Sequence, residues 1–209
     1  RRIPTDQLIR TETEVRALLC KEHGLPDKLD LVTDHEEPTP AAGQVIIDVK
    51  AAGLNFPDVL IIQGKYQFQP ELPFIPGGEF SGVVTAVGDK VTRYKPGDEV
   101  ISMGQVGGFC ERAAVHEMAV FPKPAALGFE EAAGVAITYF TSYYALKQRA
   151  QLKEGETLLV LGAAGGVGTS AVELGKLMGA KVIAAASSDE KLELCKKLGA
   201  DELINYSEA

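Results

Sequence analysis

The sequence predicts two folds in series: a β-rich domain, then an α/β domain whose doubly wound parallel sheet is incomplete. Three observations predict it. Nine of the eleven prolines fall between Pro38 and Pro124, among short apolar alternations punctuated by glycine, and none follows. Beyond residue 130 the pattern turns to helix, strand, helix, strand, with continuous apolar runs at Thr157–Leu161 and Lys181–Ala185. A glycine-rich turn separates the first run from an amphipathic stretch, the order of a nucleotide-binding strand–turn–helix unit.

Taken in chain order, the first segment holds Arg1, Arg2, Arg10 and Arg16 but also Asp6, Glu12 and Glu14. A transit peptide is poor in acids, so residues 1–14 read as a flexible extension. The β-rich domain spans 15–130. Its clearest strand is Val45–Ala51, where Val45, Ile47, Val49 and Ala51 share one face and Ile46, Asp48 and Lys50 the other. Further strands are predicted at Arg16–Cys20, Phe80–Val87, Glu99–Met103, Glu111–His116 and Ala119–Phe121. The turn Lys95-Pro96-Gly97-Asp98 feeds the Glu99 strand. One short helix interrupts them, with Pro57 and Asp58 in its first turn and Gly64 closing it.

The second domain, 131–209, opens with a proline-free helical stretch, Glu130–Ala150, that Gly134 splits or bends. Thr157–Leu161 reads as a parallel strand buried on both faces. A helix then runs to Met178, a strand covers Lys181–Ala185, a helix covers Ser188–Leu198 with Gly199 closing it, and Leu203-Ile204 begins a third strand. A dinucleotide-binding sheet has about six strands. With barely three here, the sequence is expected to be part of a longer enzyme.

Composition narrows the function classes. The 209 residues carry 21 basic and 29 acidic side chains, a formal charge of −8, which argues against a nucleic-acid module. No apolar run is long enough for a membrane span. Cys20, Cys110 and Cys195 are far apart, so neither a disulfide framework nor a zinc knuckle is expected. The compartment reads as reducing, cytoplasmic before mitochondrial.

Ala163-Ala164-Gly165-Gly166-Val167-Gly168 stands where a G-x-G-x-x-G fingerprint belongs, with Ala163 in the first glycine's place. Gly165 allows a pyrophosphate close to the backbone. Gly168 lets helix and strand pack, and the helix N-terminus offers N–H groups and positive dipole to the phosphates. At the end of the second strand an acid would select NAD. The chain has Ala184-Ala185-Ala186-Ser187-Ser188 instead. Ser187 and Ser188 can donate to a 2′-phosphate, and Lys191 lies one turn on, although it also suits an ordinary exposed helix position. NADPH is favoured over NADH.

Several motifs together resemble the zinc-independent branch of the medium-chain dehydrogenase/reductase superfamily, the NADPH:quinone oxidoreductase family. They are Ala52-Gly53-Leu54-Asn55-Phe56-Pro57-Asp58, Gln63-Gly64-Lys65-Tyr66, Pro73-Phe74-Ile75-Pro76-Gly77-Gly78-Glu79, Lys95-Pro96-Gly97-Asp98, Ala163 to Gly168 and Leu203-Ile204-Asn205-Tyr206. The resemblance implies a GroES-like catalytic domain, then a Rossmann domain, with substrate reduced between them. Zinc-dependent relatives begin the loop matching Asn55–Asp58 with Cys-His and place a His before the residue matching Glu79. Here those places hold Asn55, Phe56 and Gly78, so no metal is expected.

Without a metal, hydrogen-bond donors must meet the charge that develops on the substrate oxygen. The resemblance places Asn55 and Tyr66 in the substrate pocket, and Asp58 joins them as a catalytic candidate. The plainer roles are a helix cap for Asn55, an interior hydrogen-bond partner for Asp58 and a pocket wall for Tyr66. In enoyl-reductase relatives the tyrosine matching Tyr66 donates a proton. Thr141 matches a residue near the nicotinamide, and Tyr206 one beside the 2′-phosphate and adenine ribose. The expectation is an NADPH-dependent, metal-free reductase of quinones or conjugated carbonyls. Its alternatives are a 2-enoyl thioester or alkenal/alkenone reductase, or a non-catalytic NADPH-binding protein. The partners expected are a small-molecule quinone or enone, no nucleic acid, no membrane and, for a full-length parent, a second copy.

Overall fold

A computed structural model describes residues 14–208. Residues 1–13 of the expected extension lie outside that range, and Glu14 already belongs to a strand. The chain divides between Gly134 and Val135 into two units.

In the first unit β1 (Glu14–Cys20) pairs antiparallel with β2 (Leu29–Glu36), with a bulge between Val15 and Ala17. Sequence pattern did not predict β2, whose residues are mostly exposed and do not alternate cleanly. β3 (Gln44–Gly53) leads into α1 (Phe56–Ile62), followed by β4 (Glu79–Val87), β5 (Glu99–Met103), β6 (Arg112–His116) and β7 (Val120–Pro122). These strands form an antiparallel sheet in the order β6-β3-β4-β5-β7. Val45, Ile47, Phe80, Val84, Val100, Ala113 and Val120 make its core. The predicted inward face of β3 supplies Val45 and Ile47, as a two-residue period requires.

α1 starts where Pro57, which lacks an N–H, costs nothing in the first turn. It ends at Gln63, followed by Gly64 at φ +65°, a left-handed position that suits glycine. Its inner face places Ile61 and Ile62 with Cys20 and Phe74 in a second cluster. α2 (Phe129–Ala132) closes this unit.

In the second unit α3 (Ala136–Tyr143) runs into a π-helical turn at Tyr144–Arg149. The long helix expected over Glu130–Ala150 is therefore three pieces, broken around Gly134. Next come β8 (Thr157–Leu161), α4 (Gly166–Leu177), β9 (Lys181–Ala186), α5 (Asp189–Lys197) and β10 (Glu202–Asn205). The three strands pair in parallel, in the order β10-β9-β8. Val172 of α4 and Cys195 of α5 share one cluster with Val160, Val182 and Ala184, so both helices cover the same sheet face.

That corrects one expectation. β8 is not buried on both faces: Leu159 is 52% and Leu161 74% exposed, while Val160 is buried. Same-handed crossovers in one direction along a sheet put successive helices on one side, and the apolar run alone does not reveal which side is covered.

Candidate functional site

In the β-rich unit the end of β3 and the start of α1 present Asn55. Its backbone N–H donates to Asp58 Oδ2 at 2.8 Å, and the Asp58 N–H returns a bond to the Asn55 carbonyl at 3.0 Å. Asp58 thus caps the helix from its third position. The Asn55 side chain gives one of its two amide hydrogens to another strand: Nδ2 donates to Glu79 Oε2 at 3.0 Å. Glu79, the first residue of β4, pairs with Gly53 and is fully buried.

Asp58 is 4% exposed. Its other oxygen accepts the Gly78 N–H at 3.1 Å, so one carboxyl ties the start of α1 to the approach to β4. Burial pushes its pKa up, against the pull of the N–H groups of Asn55, Gly78 and Gly77. With both oxygens engaged by backbone, Asp58 is placed as a strut. These bonds are those of the interior hydrogen-bond partner that the sequence reading offers for Asp58 beside the catalytic one. Tyr66, half-buried past the end of α1, packs against the cluster of Cys20, Ile61, Ile62 and Phe74. The three thiols are free, and burial raises each of them, Cys110 to about 11, which leaves no ready thiolate nucleophile among them.

In the α/β unit the turn after β8 begins at Gly162, φ +63°, with open space where a side chain would stand. Ala163 is fully buried, and its N–H donates to the Ala185 carbonyl at 3.0 Å. Gly165 is the residue before α4, in extended geometry, and Gly166 opens the helix. A Cβ on Gly168 would lie 2.5 Å from the Gly162 carbonyl oxygen and 2.7 Å from Ala163 Cα. Only glycine lets this helix sit so close to the turn. A Cβ on Gly165 would meet nothing nearer than 3.5 Å. The protein itself does not need glycine there, which leaves the room for a ligand.

α3 steadies this turn. Ser142 Oγ lies 2.8 Å from both the Val167 carbonyl and Ser170 Oγ, and Ser170 Oγ lies 3.1 Å from the Thr138 carbonyl. Both serines are buried. Tyr139 adds a bond to Glu173, whose carboxylate pushes the phenol up to about 12. Thr141, on the same helix, is exposed, as is Val167.

The residues expected to face a 2′-phosphate lie around the end of β9. Lys191 Nζ donates to Ser187 Oγ at 2.9 Å, and Ser188 caps α5 by accepting the Lys191 N–H at 3.5 Å. The Tyr206 N–H donates to the Ala186 carbonyl at 3.1 Å, which brings its exposed ring to the same strand ends. No acid stands at Ala184–Ser188.

Residues 41–153 match the alcohol dehydrogenase GroES-like domain, and 166–209 match the zinc-binding dehydrogenase domain. The chain is 43% identical to quinone oxidoreductase-like protein 2 homolog of Nematostella vectensis, over 92% of this chain and 52% of that one. It is 38% identical to the quinone oxidoreductase of Mus musculus, over 93% and 59%. The chain belongs to the quinone oxidoreductase family of medium-chain dehydrogenases/reductases. It spans between half and three fifths of these two relatives' lengths. Among solved structures of the family, the quinone oxidoreductase of Thermus thermophilus, reported also in complex with NADPH, superposes with a TM-score of 0.81 at 41% identity. The match covers 92% of this chain and 60% of that one.

The second domain's name implies zinc, but the residues do not fit it. Asn55, Phe56 and Gly78 offer no nitrogen or sulfur ligand of the kind zinc takes. Among the described residues no group of three or more His, Cys, Asp or Glu is placed to hold a metal ion. Nor is any described helix long and apolar enough to cross a membrane.

Sequence reasoning missed two residues. Gly162 makes the left-handed turn one place before the assigned fingerprint; the signal was a glycine directly after an apolar strand. Glu79 carries no such signal, because nothing in a linear sequence pairs it with Asn55.

Proposed function

We propose that this chain supplies the substrate-binding and NADPH-binding elements of a metal-free oxidoreductase that reduces quinones or related conjugated carbonyl compounds. The observation that carries this reading is the turn from Gly162 to Gly168. It combines a left-handed glycine, a helix packed too close for any other residue at Gly168, and unfilled room at Gly165. Such a turn suits a pyrophosphate on backbone N–H groups. The mouse quinone oxidoreductase and the Thermus thermophilus enzyme, solved with NADPH, support the substrate class and the coenzyme.

NADPH held there supplies a hydride to the acceptor. The chain's own residues do the rest. The amides opening α4 would hold the pyrophosphate, and Ser187, Ser188, Lys191 and Tyr206 would meet the 2′-phosphate and ribose. Thr141 would serve the nicotinamide end. Asn55 donates to the acceptor oxygen as charge develops on it, which is the role a metal would otherwise fill. Tyr66 lines the pocket. A reduced quinone takes its proton from water, so no acidic side chain is required. A chain of the relatives' full length is expected to dimerise, and three free thiols suit a reducing, cytoplasmic setting.

The test follows NADPH consumption at the relatives' full length with a simple quinone, an enoyl thioester and an alkenal. The quinone should be turned over fastest, and NADPH should outperform NADH. Tyr66→Phe should change the quinone rate by no more than about twofold. A loss of about a hundredfold, confined to an enoyl thioester that is also the best substrate, would reassign Tyr66 as proton donor and the enzyme as an enoyl reductase. Tight NADPH binding without turnover of any acceptor would leave only a binding protein.

A further inference from the structure

We infer that Glu79 is a positioning residue: its buried carboxyl fixes which end of the Asn55 amide faces a ligand. The inference rests on the proposal that Asn55 meets the substrate oxygen.

An asparagine side chain has two nearly isosteric ends, one a donor and the other an acceptor. A site that must stabilise negative charge needs the donor end, and a free amide would present either. Asn55 is not free. Its Nδ2 lies 3.0 Å from Glu79 Oε2. A carboxylate can only accept, so it selects the nitrogen and turns Oδ1 away. The second Nδ2 hydrogen then has a fixed direction.

The clamp is rigid because both of its ends share an anchor. Asp58 takes the Asn55 backbone N–H with one oxygen and the Gly78 N–H with the other, at 2.8 and 3.1 Å. Gly78 directly precedes Glu79. One buried carboxyl therefore sets the spacing between the amide's backbone and the backbone of the carboxyl that orients it. Gly53, paired with Glu79 across the strands, closes the remaining space. A Cβ there would meet the Ala133 carbonyl oxygen at 2.3 Å and Glu79 Oε2 at 3.3 Å.

Glu79 is 0% exposed at the first position of a central strand, where an apolar residue of similar volume would avoid the cost of desolvating a carboxyl. The group found there aims an oxygen at the candidate substrate-binding amide.

Glu79→Gln tests the idea with volume preserved and selectivity removed, since a glutamine can either accept from Nδ2 or donate to Oδ1. In a chain of the relatives' full length, E79Q should lower kcat with a simple quinone by about tenfold. The KM for quinone and the NADPH dissociation constant, read by fluorescence, should stay within about twofold. In an Asn55→Ala background the same change should cost less than about twofold, because the group it orients is gone. Additive losses in the double variant, or full activity in E79Q, would overturn the inference. Full activity in N55A would instead remove the reading of Asn55 on which it rests. A measurement on unsubstituted, 15N-labelled protein stands apart from folding of any variant. One of the two Asn55 side-chain amide protons, the one held by Glu79, should be protected from exchange, and exchange of both at the rate of an exposed amide would refute the clamp.

Discussion

The β-rich unit and the α/β unit use opposite materials at their candidate sites. In the first, the groups in play are buried side chains, Asp58 and Glu79, locked onto Asn55 from two elements. In the second they are backbone amides at a glycine turn and exposed hydroxyl and ammonium groups at strand ends. The difference matches the ligands proposed for each. Orienting a single donor toward one oxygen needs a rigid surround, which burial and paired hydrogen bonds supply. Holding a long, charged coenzyme needs room and accessible donors, which glycine and an open helix end supply.

The largest effect should come from filling the turn. Gly168→Ala puts a Cβ against two backbone atoms that cannot step aside, at a cost of about 1–3 kcal/mol or more. NADPH affinity, measured by calorimetry, should fall by about a hundredfold, with a lower melting temperature. A silent G168A would break the comparison, because helix and strand would then tolerate a side chain between them.

Gly165→Ala separates ligand room from protein room. Its backbone is extended and its nearest neighbour is 3.5 Å away. The unliganded protein should be unchanged, or steadier by up to about 1 kcal/mol from reduced freedom when unfolded. NADPH should bind about tenfold more weakly. Equal affinity would mean that the pyrophosphate does not approach there.

Ser187→Asp sharpens the coenzyme choice. A carboxylate at the end of β9 repels a 2′-phosphate and can accept from ribose hydroxyls. The NADPH dissociation constant should rise about tenfold while that for NADH stays level or falls. Lys191→Ala should act in the same direction and less strongly, since an exposed lysine contributes modestly.

The smallest effect concerns acid. Asp58 in the first unit is pushed up by burial, whereas Asp201 in the second is held below its ordinary 3.8, first by Lys176 and then by the Val182 N–H. A carboxyl with a lowered folded-state pKa stabilises above its unfolded value and loses that contribution as pH falls through the folded one. Asp201→Asn should therefore narrow the gap between melting temperatures at pH 7 and pH 3. Asp58 shifts the other way, so its titration adds nothing to the acid-side loss. An unchanged gap in D201N would show that the Lys176 pair on the surface carries no linkage.

Much of this is legible in the sequence. β5 and β8 lie where their apolar runs place them, and the glycine stretch opens a helix after a strand. Gly64 and Gly199 end their helices at positive φ. Ser187, Ser188, Lys191 and Tyr206, spread over twenty positions of sequence, do meet at one set of strand ends. β2 was illegible because an exposed ribbon strand leaves no alternation to detect. The one-sided cover of β8 was illegible because an apolar run records burial without saying by what.

The sequence by itself determined the periodicities, the turn residues and the absence of an acid after β9. These are local properties, set by the backbone preferences of each residue and its nearest neighbours. Tertiary structure decided that Glu79 reaches Asn55, that Asp58 binds two separate backbones and that Gly168 has no space for a methyl group. Those depend on segments meeting from distant parts of the chain, and hydrogen-bond direction and steric room exist only once they have met.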